Sequence, residues 1–260
     1  MAMDDSSYAV VLGASTGVGA AIATRLADND YDVIGFHRGG HPAEAARVPI
    51  AHMAVQDVGR DATCVEKGLA TVRDLVGSHR VAVLVHSLSG AATGDALVMS
   101  PERVERTFNH LAHSFLWWAQ GLSASGLLAP NAMLVALTNP LPEFYLTNSG
   151  VIGAAKAALE AYVRILAVEM GDDDVRVNGV RFSTVMTPAL RKVVGESGAA
   201  SLDQLHRLIV PAGRMTTAVE IAEVVARLVQ TPLINGAIID ATAGATSTLL
   251  DYAFQAGAPR

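Results

Sequence analysis

The 260-residue chain has one cysteine, Cys64, without a CxxC or CxxH neighbour. That excludes an intramolecular disulfide and a zinc–thiolate module, and makes a reducing cytoplasm the expected setting. Aromatic residues are scarce at 5% and charged residues at 17%, yet hydrophobic residues reach 51%. Such a balance excludes a disordered tail and a collagen-like repeat. Positive charge is also short: 19 basic residues face 25 acidic ones, for a net charge of −6. No general phosphate-backbone binder is expected, and no nucleic-acid partner. Long apolar runs are missing, since Ala132–Leu137 is about a third of a membrane span. Met1 to Tyr8 is acidic and polar and does not read as a signal peptide. No membrane partner is expected.

Short β-branched runs alternate with longer amphipathic stretches. Strands are predicted at Tyr8–Leu12, Tyr31–Phe36, Pro49–Val55, Val81–Val85, Ala132–Leu137, Val175–Val180 and Ala237–Asp240. Each is apolar almost throughout, as a strand covered on both faces must be. Helices are predicted at Val18–Asp28, Ala62–Gly77, Pro101–Ser125, Gly150–Met170 and Thr217–Val229, with Ser100-Pro101 as a start signal. Residues 139–150 and 182–216 read as long connections. The expected fold is α/β: one doubly wound, Rossmann-type domain over 1–260, with a seven-stranded parallel sheet and helices on both faces.

The first strand runs into Gly13-Ala14-Ser15-Thr16-Gly17-Val18-Gly19 and then a helix. Glycines at this spacing permit a tight turn and close approach of a pyrophosphate to helix N–H groups. The second strand ends at Phe36-His37-Arg38 without the acid that binds a ribose 2′-hydroxyl. Arg38 is either the partner of a 2′-phosphate, favouring NADP over NAD, or a solvated surface arginine. Asp57, followed by Val58, is either an acceptor for the adenine amino group or a turn residue. His110 and His113 have metal-ligand spacing on a helix, but no third ligand is evident, and no metal is expected. Phe115, Leu116, Trp117 and Trp118 belong either to the core or to an interface between subunits.

With these motifs the chain resembles the short-chain dehydrogenase/reductases over residues 8–250. The likeness rests on GASTGVG (13–19), QDV (56–58), HSLSG (86–90), GAAKAALEAYVRILAVEM (153–170), VRVNGV (175–180), PAGRM (211–215) and INGAIIDATAG (234–244). His86-Ser87, the KAALEA run and PAGRM look most like the enoyl-acyl-carrier-protein reductases. The resemblance implies NADP, or alternatively NAD. It places the cofactor against Gly13, Ser15, Thr16, Gly17, Val18, Gly19, Arg38, Asp57, Val58, His86, Ser87, Lys156 and Thr187. It also implies a homodimer or homotetramer through helices 101–125 and 150–170.

The catalytic set departs from the family. Lys156, one of three lysines, matches the lysine of the usual Tyr-x-x-x-Lys pair, but Ile152 stands at the tyrosine position. Ser149 stands where the enoyl reductases place their tyrosine, Asn139 at the usual serine, and Leu111 at the helix asparagine, with Asn109 two residues away. Isoleucine cannot donate a proton, and a lost general acid commonly costs about 10²–10⁴ in rate. Lys156, Tyr145, Ser149 and Asn139 are the candidate catalytic groups. Tyr145 is either a proton donor or an aromatic packed over the pocket.

Three readings follow. The first is hydride addition to an enone or enoyl thioester, which needs an oxyanion partner more than a dedicated acid. The second is a ketoreductase using Tyr145. The third is a non-redox lyase, isomerase or binding subunit on the same scaffold.

Overall fold

The computed structural model describes residues 7–40, 42–90, 92–144 and 146–248. All seven predicted strands are present: β1 (Tyr8–Leu12), β2 (Asp32–His37), β3 (His52–Val55), β4 (Val81–His86), β5 (Leu128–Thr138), β6 (Arg176–Arg181) and β7 (Ile238–Asp240). They form one parallel sheet in the order β3-β2-β1-β4-β5-β6-β7. The order reverses direction between β1 and β4, which creates the crevice where α/β sheets bind ligands.

Strand residues alternate between two cores, one on each face of the sheet. Val10, Leu12, Leu84, Leu134 and Ala136 face one with Trp118, Leu159 and Val163. Ala9, Val11, Val83, Val85, Met133 and Val135 face the other with Ile22, Leu26, Ile221 and Val225. Because both faces are covered, apolar side chains gain at every position of the strand, each contributing about 1.5–3 kcal/mol on burial. This is why the strands read as continuous runs.

Of the helices, α1 (Gly17–Ala27), α3 (Ala62–Val76), α6 (Gly150–Glu169) and α8 (Ala218–Val229) lie where the periodicity predicts. A short α2 covers Pro42–Ala45. The stretch 101–125 is not one regular helix. It divides into α4 (Pro101–Phe108), a π-helical turn (Asn109–His113) and α5 (Ser114–Ala124). Ser100 precedes Pro101 as expected, but its side chain makes no capping bond. Trp118 settles into the core, fully buried, with its indole N–H donating to the Val58 carbonyl at 3.0 Å.

The connection 182–216 is corrected more substantially, for α7 (Pro188–Ile209) occupies most of it. Thr187 caps this helix by accepting from the Leu190 N–H at 3.1 Å, and Pro188 takes the first turn, where its missing N–H costs nothing. Gly195, at φ 69°, breaks the helix internally and hides its period in the sequence.

Candidate active site

The carboxyl ends of β1, β2, β4, β5 and β6 surround a cleft of about 920 Å³. At its floor lies the glycine loop. Gly13 has φ +90°, and a Cβ there would lie 2.5 Å from the Ser87 carbonyl oxygen. A Cβ on Gly19 would meet the Gly13 carbonyl at 2.0 Å. Side chains at these positions would therefore prise the loop from β4 and α1 from the loop. The α1 N-cap, Thr16, makes no side-chain capping bond, and the first turn contains no acid. Its N–H groups remain available to an anion. A dinucleotide's pyrophosphate fits this cradle.

Of the candidate site residues, Gly13, Ser15, Thr16, Gly17, Val18, Gly19, Arg38, Val58, Ser87, Asn139, Lys156 and Thr187 all line the cleft. Arg38 is exposed and reaches across the rim, its guanidinium 3.5 Å from the Ser89 carbonyl oxygen. A side chain on Gly90 would strike it at 2.7 Å.

Three expected residues stand outside the lining. Asp57, between the lining residues Gln56 and Val58, turns its carboxylate to the Gly59 N–H at 3.1 Å. Ser149 sits at the N-cap of α6, in a turn closed by its N–H on the Leu146 carbonyl. His86 is wholly buried beneath the cleft, with Nε2 2.8 Å from the Ser114 hydroxyl. Tyr145 lies outside the described residues.

Around Lys156 the chemistry is polarised. Its ammonium is buried and donates to the Leu137 carbonyl at 2.7 Å. Burial pushes the group down to about 8, against the opposing attraction of Glu160 one turn along α6. Ile152 and Leu111 also line the cleft. Asn109 faces elsewhere, its amide donating to the Arg60 carbonyl at 3.2 Å. Neither Ile152 nor Leu111 can move a proton.

Two buried histidines flank the cleft. Burial, followed by the charge of Lys156, holds His86 well below its ordinary value. Burial, then Arg38, pushes His110 down to about 4. Both rings are neutral at pH 7, and His86 Nδ1 and His110 Nε2 have no hydrogen-bond partner among the described residues. Among those residues no group of three or more His, Cys, Asp or Glu side chains could hold a metal, and no helix is long and apolar enough to cross a membrane.

A charged cluster lies behind the cleft. Arg181, at the end of β6, bonds both Glu160 oxygens and reaches Glu143 in the loop after β5. Thr138 donates to Glu160 at 3.0 Å. Sequence reading missed this cluster, although Thr138 and Arg181 stand at strand ends and Glu143 in the loop after β5, where α/β sites gather.

A family model described as enoyl-(acyl carrier protein) reductase matches residues 13–246. L-Xylulose reductase of Bos taurus is 27% identical over 184 residues, covering 69% of this chain and 72% of that protein. The 1-cyclohexenylcarbonyl-CoA reductase of Streptomyces collinus is 24% identical over 233 residues, covering 86% and 81%. The L-sorbose reductase of Gluconobacter frateurii, solved with NADPH and L-sorbose, shares the fold with a TM-score of 0.83 at 21% identity, over 96% of this chain and 100% of that one. With its glycine cradle, its buried Lys156 and a family match running nearly end to end, the chain belongs to the short-chain dehydrogenase/reductases, among those resembling enoyl-acyl-carrier-protein reductases.

Proposed function

We propose that the protein reduces a conjugated enoyl thioester or enone with NADPH. One observation carries the reading: a buried lysine opens on the dinucleotide cleft while Ile152 and Leu111 line it where proton-handling groups would stand. Reduction of a carbonyl leaves an alkoxide that must be quenched at once. Addition to an alkene conjugated with a carbonyl spreads charge onto the carbonyl oxygen, which a neutral donor can hold. The chain is better equipped for the second.

Bound NADPH would supply the hydride. The first-turn N–H groups of α1 would hold its pyrophosphate, Arg38 its 2′-phosphate, and Lys156 the hydroxyls of its nicotinamide ribose. Asn139, at the end of β5, offers an amide N–H to the substrate oxygen; its Oδ1 is held by the Leu141 N–H at 3.1 Å. Leu88, Leu141, Leu146, Phe182 and Leu190 line the cleft with apolar surface suited to an acyl or cyclic chain. A family description and one relative's name support this reading: the family model describes enoyl reductases, and the Streptomyces protein is named for a cyclohexenylcarbonyl thioester. A cytoplasmic homodimer or homotetramer is the assembly in which we expect it to work.

The test is deuteride transfer from 4-deuterated NADPH to a panel of conjugated enoyl thioesters and ketones. Label at the β-carbon supports the reading. Label at a carbinol carbon replaces it with a ketoreductase, and cofactor binding without transfer replaces it with a non-redox role.

A further inference from the structure

We propose that Ser183 and His206 form a proton-delivery pair that opens on the cleft and protonates the reduced substrate. The proposal rests on the reductase reading above and supplies the proton source that Ile152 and Leu111 cannot.

The position of Ser183 follows from strand register. Thr138 of β5 pairs with Arg181 of β6, and the Phe182 N–H donates to the Thr138 carbonyl at 3.3 Å. The two strands therefore release Asn139 and Phe182-Ser183 side by side. Both Asn139 and Ser183 line the cleft. Ser183 thus stands beside the residue proposed to hold the substrate oxygen.

Behind it is His206 of α7, only 2% exposed. Its Nε2 lies 3.1 Å from the Ser183 hydroxyl oxygen, and its Nδ1 lies 2.7 Å from the Leu202 carbonyl oxygen. A carbonyl only accepts, so Nδ1 carries a proton in either charge state. In the neutral ring Nε2 can only accept, and Ser183 must donate to it. In the protonated ring Nε2 donates instead, and the serine hydrogen is released toward the cleft. This is the geometry of a hydroxyl coupled to a base that is oriented by a third group. It can pass one proton in either direction without a strongly acidic serine.

The step balances. A C–H bond forms at the β-carbon with the hydride of NADPH, which is oxidised to NADP, and the alkene electron pair moves toward the carbonyl. The Ser183 O–H bond breaks as a C–H bond forms at the α-carbon, while the Nε2 proton passes to the serine oxygen. His206 ends neutral and takes its next proton from solvent. Ser183 is the catalytic residue; His206 acts through it.

The test uses the full chain with NADPH and a 2-enoyl-CoA in D2O, comparing wild type with Ser183→Ala, Ser183→Thr and His206→Gln. Direct NADPH titration of each protein, without substrate, serves as the check on folding and on the cofactor site. Wild type should place deuterium at the α-carbon in one configuration. Ser183→Ala and His206→Gln should slow reduction by about 10²-fold and scramble that configuration, with NADPH affinity unchanged, while Ser183→Thr preserves it. In the unliganded protein, nitrogen-15 spectra of His206 should show the proton of the neutral ring on Nδ1. Unchanged rate and configuration in the alanine and glutamine variants, or a proton found on Nε2, overturns the pair and leaves the reductase reading standing. A wild type that binds NADPH but reduces no enoyl or enone compound overturns both.

Discussion

Arg181 at the end of β6 and Glu160 in the middle of α6 form a buried ion pair, 2.9 Å between nitrogen and oxygen, with side chains 9% and 6% exposed. The same arginine holds Glu143, at 2.5 Å, in the loop that follows β5. One residue thereby joins the sheet, the lysine-bearing helix and the loop after β5.

Removing one partner of such a pair strands the other charge in a poor solvent. Arg181→Ala is expected to cost about 3–5 kcal/mol, whereas Arg181→Met combined with Glu160→Met should lie closer to wild type. Urea unfolding midpoints of the single and double variants give the comparison. A single variant no less stable than the double would show that the pair contributes little.

Cofactor choice is expected to turn on Arg38. Arg38→Asp should weaken NADPH by about tenfold or more, through loss of a charged hydrogen bond and introduced repulsion. NADH should bind relatively better. Fluorescence titration of both cofactors reads the ratio, and an unchanged ratio would assign Arg38 to the surface alone.

The glycine loop was legible because it is local: strand, turn and helix follow one another within Tyr8–Ala27. Lys156, one of only three lysines, stood out in the sequence as well. The Arg181–Glu160 and Ser183–His206 contacts were not legible, since they join residues 21 and 23 positions apart that meet only after β6, α6 and α7 have packed. α7 itself escaped notice because Gly195 and Gly198 interrupt its apolar spacing. Ser149 stands just outside α6, which begins at Gly150, so a helical count back from Lys156 does not fix where its hydroxyl lies.

Lys156→Ala should weaken NADPH by about tenfold, the value of one charge-assisted hydrogen bond, and reduce turnover with it. In wild type the affinity should fall as pH rises through about 8, where the ammonium loses its proton. The alanine variant should lack that step. Titrations at pH 7 and pH 9 suffice to see it.

Acid should unfold the protein earlier than its carboxylates alone require. His110 is held at about 4 and His86 also well below its ordinary value, so both bind protons more readily in the unfolded chain. Stability is then present above pH 6.5 and is lost as pH falls from there toward about 4. For His110 the loss reaches about 2 kcal/mol by pH 5, at about 1.4 kcal/mol per unit. Guanidinium unfolding at pH 7 and pH 5 measures it. His110→Phe should lose distinctly less stability than wild type over that interval.

The π-helical turn at Asn109–His113 gives one helical rod two rotational phases. A residue added to an α-helical path turns everything beyond it by about 100°. Upstream and downstream faces therefore obey different counts. Leu111, within the turn, lines the cleft, while Trp118, two turns on, points into the core and bonds Val58. The wide turn absorbs one residue more than a regular helix needs between the same two ends, so deleting one residue between Phe108 and Ser114 should leave Trp118 in its socket and change only what the turn itself presents to the cleft.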